Sequence, residues 1–248
     1  MKNQDNSSQK IMRFRKSERN IHWAMAIPFM LCLVTALIRV YFFNPDPTRP
    51  YLEIISWIHR ISGVAFIIFP LIEAIKSRND IRIYIQDIKQ VWVWTFEDVK
   101  WLCLIGLSAI SKKISLPDQG KFNAAEKLNF MLITISYPLY IVTGIVIWMT
   151  KGILLSWMIH FGLAVLAIPF VSGHLYMAMV NPSTRKAFSG MTSGFVDREF
   201  VKHHHTLWYR ENFEYALATS ESIEPAPAEA GLRDDQVIEP FEKPVPSA

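Results

Sequence analysis

The chain has 248 residues, of which 51% are apolar, including eight tryptophans. Its two cysteines, Cys32 and Cys103, form no CxxC motif, which excludes thiolate iron–sulfur clusters, zinc ribbons and c-type haem attachment within this chain. The formal net charge of +4 requires no nucleic-acid partner, because the basic residues are concentrated beside long apolar segments.

Four apolar segments dominate the chain, and each is long enough to cross a bilayer. They cover residues 22–43, 54–75, 128–148 and 153–180. About 20 helical residues span a hydrocarbon core of roughly 30 Å. Backbone groups in lipid must bond within their own segment, so these continuous segments predict helices rather than strands. The first segment is longer than the core of a signal peptide, which favours a membrane span.

The segments outside the spans differ in character. The loop of residues 76–127 contains a stretch, 81–107, where tryptophans and apolar residues alternate with charges, which predicts one or two amphipathic helices at the cytoplasmic interface. The acidic tail, 214–248, is rich in proline, alanine and serine and is predicted to be disordered. We therefore expect a flexible N-terminus at 1–12 and a membrane domain at 13–213. The predicted fold class is all-α, an integral membrane four-helix bundle.

Positive charge sets the expected orientation of the spans. Of the 26 lysines and arginines, 22 lie before the first span, between the second and third, or after the fourth. Cytoplasmic loops carry such an excess, so both termini and the middle loop are predicted to be cytoplasmic.

Four of the seven histidines lie in or at the edge of a span, namely His22, His59, His160 and His174. Ionisable residues are costly there and are usually functional. With the predicted topology, His22 and His174 share the cytoplasmic level, whereas His59 and His160 share the periplasmic level. A single such histidine is more often a hydrogen-bonded core residue, but two depth-matched pairs favour a ligand role.

The fourth span offers one histidine near each membrane surface. His160 and His174 are 14 residues apart, about 21 Å along a helix, and leave roughly the same face. Two stacked haems with paired histidine ligands need this arrangement, with His59 and His160 on one iron and His22 and His174 on the other. Zinc is the weaker alternative, because two histidines per level leave a tetrahedral site two ligands short.

Other residues near these histidines admit two interpretations each. Arg39 and Arg60 either pair with haem propionates or extend to the interface. Small residues in the spans allow the close approach of either a macrocycle or a second helix. They are Gly63, Gly144, Gly162 and Gly173.

Asn123 immediately precedes the third span, at the level predicted for His174. Its amide can both donate to and accept from a bound ligand at this level. Alternatively, Asn123 caps the third helix, since Glu126 follows at the capping-box distance.

Six segments, in this order, resemble the gamma subunit of respiratory formate dehydrogenase, a dihaem cytochrome b of the bacterial inner membrane. They are RFRKSERNIHW (13–23), IHRISG (58–63), GKFNAAEK (120–127), IH (159–160), HLYMA (174–178) and the stretch 197–209. The resemblance covers about residues 12–213. The chain departs from the family at Ala125, where glycine is common, and at 204–209, which lacks the usual proline.

The resemblance implies a membrane anchor for two periplasmic subunits, a catalytic alpha subunit holding molybdenum or tungsten and an iron–sulfur beta subunit. It implies two haem b groups with the histidine pairs given above. Electrons would pass to a quinone, menaquinone or ubiquinone, on the cytoplasmic side. The quinone site would lie on the loop of residues 120–127, near Asn123 and beside the cytoplasmic-side haem. The chain would be a non-catalytic, multi-pass electron-transfer subunit of the inner membrane, in contact with the lipid bilayer and with no nucleic acid.

Other functions stay open at this point. The chain is alternatively the cytochrome b subunit of another periplasmic oxidoreductase, of the hydrogenase or thiosulfate reductase type, because the upstream substrate leaves no mark on this sequence. A haem-free membrane scaffold with packed histidines is the less favoured alternative. No span is interrupted in the paired manner of transporter substrate sites, which disfavours a transporter.

Overall fold

The computed structural model describes residues 9–41, 50–111, 113–150, 152–214 and 237–238. The α-helices in these ranges are α1 (Lys16–Tyr41), α2 (Pro50–Lys76), α3 (Ile81–Trp92), α4 (Phe96–Ile110), α5 (Ala124–Thr150), α6 (Leu154–Leu175), α7 (Phe188–Thr192), α8 (Arg198–His204) and α9 (Thr206–Tyr209). The strands in these ranges are β1 (Lys10–Met12), β2 (Phe195–Asp197) and β3 (Val237–Ile238). Short π-helical segments at Tyr176–Val180 and Arg210–Glu214 continue α6 and α9.

Within the described residues, four helices are long and apolar enough to cross a membrane. They cover Lys16–Val40, Leu52–Lys76, Ala124–Thr150 and Leu154–Val180. Many of their apolar side chains are exposed, as Met149 is at 81%, which is the surface that lipid covers in a membrane protein. The predicted all-α membrane fold is confirmed. The first and third helices begin before the predicted spans, because their first turns are polar and hydropathy does not mark them.

The loop between the second and third spans contains α3 and α4, as its sequence pattern predicts. Helix α3 exposes Ile81, Ile85, Ile88 and Trp92. Spacings of three and four residues place these side chains on one helix face. An apolar face of this kind on an otherwise charged helix is typical of helices that lie on a membrane surface.

A buried ion pair fixes the start of α4. Asp98 and Thr95 form a capping box at its first turn, and Lys127 Nζ lies 2.9 Å from Asp98 Oδ1. Burial alone would raise the pKa of Asp98, but the hydrogen bonds from Lys127 and Thr95 outweigh burial and hold the pKa below its ordinary value. The carboxylate therefore stays charged and keeps its lysine partner at neutral pH.

The chain divides into two compact units. The span unit comprises Lys16–Ile88 and Met131–His174, whereas the terminal unit comprises Met1–Arg15, Lys89–Phe130 and Leu175–Ala248. The four predicted ligand histidines belong to the span unit, and Asn123 belongs to the terminal unit.

A small sheet organises the core of the terminal unit. Strand β1 pairs antiparallel with β2, with Ile11 opposite Val196, and parallel with β3. Ile11 and Val196 are buried in one apolar cluster with Val201, Trp208 and Phe213. The N-terminal segment and the segment after the fourth span thus share a hydrophobic core.

This sheet differs from two predictions made from composition. The predicted flexible N-terminus (1–12) contains β1 at Lys10–Met12, and the predicted disordered tail (214–248) contains β3 at Val237–Ile238. The pairing joins segments that are far apart in sequence, so local composition carries no trace of it. Residues 1–8, 215–236 and 239–248 lie outside the described residues, and the prediction for them stays untested.

Candidate cofactor site

The span unit brings the four predicted histidines together as two facing pairs. His59 of α2 faces His160 of α6, with ring centroids 6.3 Å apart and ring planes at 68°. His22 of α1 faces His174 of α6, with ring centroids 6.4 Å apart and ring planes at 50°. These are the pairs that the sequence predicts from depth.

The spacing within each pair fits one metal ion between two imidazoles. A histidine nitrogen binds a metal ion at about 2 Å and lies about 1 Å in front of its ring centre, so two axial histidines hold their ring centroids about 6 Å apart. The apolar helices around both pairs suit a flat, largely apolar macrocycle. Within the part of the chain that is described, no three histidine, cysteine or acidic side chains are grouped to hold a metal ion, as tetrahedral zinc requires.

The second ring nitrogens of His59 and His160 already have hydrogen-bond partners. His59 Nδ1 lies 3.1 Å from the carbonyl oxygen of Cys32 and 2.9 Å from Thr35 Oγ1. His160 Nδ1 lies 2.8 Å from Thr143 Oγ1. Both rings therefore keep Nε2 for a metal, and the bonds at Nδ1 set the ring orientation.

Glycines leave room around the histidines. A Cβ at Gly144 would lie 3.5 Å from Cε1 of His160, so this backbone packs directly against the His160 ring. A Cβ at Gly63, Gly162 or Gly173 would meet no described atom within 4 Å. The open backbone at these three positions allows a flat group to approach the helices closely.

Arg39 and Arg60, the two arginines that the sequence places near the histidines, contact neutral side chains. Arg39 Nη1 donates to Ser56 Oγ at 2.8 Å. The guanidinium carbon of Arg60 lies 5.2 Å from the ring centroid of Trp57 and 5.8 Å from that of Trp148. Aromatic faces attract cations without neutralising them. Both guanidinium groups thus retain their charge for an anion such as a propionate.

Asn123 is the N-cap of α5. Its Oδ1 accepts a hydrogen bond from the backbone nitrogen of Glu126 at 2.9 Å, and Glu126 Oε2 accepts one from the backbone nitrogen of Asn123 at 3.0 Å. The structure therefore contains the capping box that is the alternative interpretation of this residue. The amide Nδ2 takes no part in the cap.

Arg13 holds this cap from the N-terminal segment. Its Nη2 donates to both carboxylate oxygens of Glu126, at 2.8 and 2.9 Å, and to the carbonyl oxygen of Lys121 at 2.8 Å. The Arg13 side chain is 1% exposed and that of Glu126 is 32% exposed. Arg13 belongs to the basic segment before the first span, but the sequence does not reveal its partner, because no local pattern connects residues 113 positions apart.

His205 holds the same loop from the opposite end of the chain. It is buried and donates from Nδ1 to the carbonyl oxygen of Gly120 at 2.9 Å, while Gln119 Oε1 accepts from the backbone nitrogen of Ala124 at 2.8 Å. Burial, and then the charge of Arg13, lower the pKa of His205 to about 3. The ring is therefore neutral at physiological pH and adds no second cation beside Arg13.

Comparison with known families identifies the framework that carries these residues. The family described as prokaryotic cytochrome b561 matches residues 13–194, a range that includes all four paired histidines and Asn123.

Several curated proteins are similar along most of the chain. The nitrate-inducible formate dehydrogenase cytochrome b556(Fdn) subunit of Escherichia coli K12 is 27% identical over 232 residues, which cover 88% of this chain and 98% of that protein. The cytochrome b556(fdo) subunit of formate dehydrogenase from the same strain is 26% identical, with 81% and 92% covered. The formate dehydrogenase cytochrome b556 subunit of Haemophilus influenzae is 26% identical, with 82% and 83% covered. The resemblance indicated by the sequence segments is confirmed.

Proposed function

Because the chain belongs to the prokaryotic cytochrome b561 family, we propose that it is the membrane-anchoring cytochrome b subunit of a formate dehydrogenase. Its four apolar helices make it a multi-pass membrane protein. The three relatives named above support the substrate assignment, since they are formate dehydrogenase subunits and the similarity extends over most of each chain.

The two facing histidine pairs are the observation that carries the proposal. His59 and His160 bind one haem b, and His22 and His174 bind a second. Haem with two histidine ligands supplies a one-electron carrier. The hydrogen bonds at Nδ1 of His59 and His160 leave Nε2 of both rings for the iron. The apolar helices around both pairs exclude water.

The partners of the proposed subunit lie on opposite membrane faces. The iron–sulfur beta subunit and the molybdenum or tungsten alpha subunit contact the periplasmic face, and a quinone reacts at the cytoplasmic face. The distribution of positive charge supports this orientation in the inner membrane. Electron entry and quinone reduction on opposite faces would move charge against the membrane potential, at about 2.3 kcal/mol per charge per 100 mV.

Purification of the chain with its native partners tests the assignment. The purified complex should show a b-type reduced-minus-oxidised spectrum, and formate should reduce its haem. Co-purification with the subunits of a hydrogenase or thiosulfate reductase would instead support the alternative oxidoreductase. A complex without haem would point to a scaffold.

The expected topology gives a prediction of its own. A reporter that is active only in the periplasm should be silent when fused after Trp208, because 22 of the 26 basic residues lie on segments assigned to the cytoplasm. The same reporter inserted near Pro47 should be active. The reverse pattern would also reverse the assigned order of the two haems.

The quinone site is proposed at Asn123. Since Oδ1 serves the cap, the amide Nδ2 is the group that can donate to a quinone oxygen. Asn123→Asp and Asn123→Ser both keep an oxygen for the cap and lose this donor. We expect both variants to retain two haems and normal reduction by the physiological donor, and to be reoxidised more slowly by quinone. Stopped-flow absorbance of the haem bands measures the two half-reactions separately.

Serine is the cleaner of the two replacements, because aspartate also places a second carboxylate beside Glu126. Reoxidation at the wild-type rate in both variants, with normal haem content, would show that Asn123 is only a cap. The quinone site would then lie elsewhere.

A further inference from the structure

A buried threonine contacts each ring of the His59–His160 pair. Thr35 of α1 and Thr143 of α5 are each 5% exposed. Thr35 Oγ1 lies 2.9 Å from His59 Nδ1, and Thr143 Oγ1 lies 2.8 Å from His160 Nδ1. The two contacts are equivalent although the threonines belong to different helices.

The direction of the hydrogen bonds follows from the remaining partners. A carbonyl oxygen only accepts, so the 3.1 Å contact between His59 Nδ1 and the Cys32 carbonyl oxygen requires a proton on Nδ1. Thr35 has one hydroxyl proton, which it donates to the Leu31 carbonyl oxygen at 2.7 Å. The oxygen of Thr35 is therefore left to accept from Nδ1–H.

Thr143 repeats the arrangement at the other ring. Its hydroxyl donates to the carbonyl oxygen of Leu139, one turn earlier in α5. The same hydroxyl oxygen then accepts from Nδ1–H of His160. Each imidazole is held as the Nδ1–H tautomer, with its Nε2 lone pair directed away from the threonine.

We propose that Thr35 and Thr143 are positioning residues that fix the tautomer and orientation of the two axial ligands and lower the reduction potential of the haem that these ligands bind. The inference rests on the proposed ligand role of His59 and His160. A ligand imidazole that donates its second N–H is a stronger base, and a stronger base stabilises the ferric iron more than the ferrous iron.

The two threonines contribute unequally. His59 Nδ1 has a second acceptor, the carbonyl oxygen of Cys32. Among the described residues, Thr143 is the hydrogen-bond acceptor for His160 Nδ1. Removal of the Thr143 hydroxyl leaves a buried N–H without a partner, whereas removal of the Thr35 hydroxyl leaves the carbonyl in place. We therefore expect the loss of the Thr143 hydroxyl to change the reduction potential more than the loss of the Thr35 hydroxyl.

Redox titration of the purified complex tests the proposal. Thr143→Val should keep both haems and shift the oxidation equilibrium of one of them about tenfold towards the reduced form, which is 59 mV for a one-electron couple. Thr35→Val should shift the same haem less, and Thr143→Ser should shift it little. The other haem is the internal control in every variant.

Thr150 provides a matched control in the same helix. Its hydroxyl donates to the carbonyl oxygen of Val146, one turn earlier, as the Thr143 hydroxyl does at Leu139. Thr150 lies outside the histidine pairs, so Thr150→Val should leave both potentials unchanged. The low-spin ferric EPR signal gives a second readout, because its largest g value depends on the angle between the two imidazole planes.

The outcomes separate this inference from the proposed function. If the wild-type protein contains no haem, both the proposed function and this inference are wrong. Two haems with unchanged potentials and EPR signals in Thr143→Val would overturn the inference alone. If Thr143→Val loses one haem, the haem contents of Thr143→Ser and Thr143→Ala are compared instead, because these two variants differ only in the hydroxyl. Retention in serine and loss in alanine supports the positioning role, and equal behaviour overturns it.

Discussion

Replacing His160 by alanine should leave the purified protein with about half of its haem, because one of the two proposed bis-histidine sites would lose a ligand. The ring of His160 faces His59 at 6.3 Å between centroids, so its removal leaves His59 as the remaining histidine of that pair. The pyridine haemochrome assay measures haem per chain directly. We expect the remaining spectrum to be that of the haem held by His22 and His174.

Two further variants sharpen this experiment. His59→Ala should remove the same haem as His160→Ala, and the double variant should lose no more than either single one. His203→Ala is the matched control, since His203 belongs to the terminal unit rather than to the histidine pairs. Unchanged haem content in His160→Ala would exclude the assigned ligand pair, and loss of haem in the control would show a non-specific effect.

The histidine pairs were predictable because two simple rules act together in a membrane. Hydropathy marks the apolar part of each span, and the helical rise then gives the relative depth of the residues in it. His160 and His174 are 14 residues apart on one helix, which predicts one partner near each membrane surface, and His59 and His22 lie at those depths. Ring contacts in the structure agree with this pairing.

The threonines that bond these rings carry no comparable sequence pattern. Thr35 and Thr143 bond carbonyl oxygens in their own helices, as threonines in apolar helices ordinarily do. Their contact with histidine depends on the rotation and packing of neighbouring helices, which hydropathy does not determine. The pairing of β1 with β2 and the burial of Arg13 also depend on how distant segments pack, so they could not be predicted from the sequence.

Arg13→Met should destabilise the protein by about 3 kcal/mol, at the lower end of the range for breaking a buried ion pair. The Arg13 side chain is 1% exposed, but the Glu126 side chain is 32% exposed and is partly screened by solvent. Loss of the guanidinium removes its hydrogen bonds to the Glu126 carboxylate and to the carbonyl oxygen of Lys121. Chemical denaturation in detergent, followed by tryptophan fluorescence, measures the free energy of unfolding.

A double-mutant cycle with Glu126→Gln separates the interaction energy of the Arg13–Glu126 pair from the contributions of their other contacts. Glutamine keeps the capping box with Asn123 but removes the charge that Arg13 neutralises. Each single variant leaves one uncompensated partner, so the double variant should be destabilised by less than the sum of the two, with a coupling of about 1–3 kcal/mol. Arg210→Met is the matched control, because Arg210 pairs with Asp118 at 3.1 Å in an exposed position, where an ion pair contributes about 0–1 kcal/mol. Additive effects in the cycle, or an equal loss in the control, would show that the Arg13 pair does not hold the loop that carries Asn123.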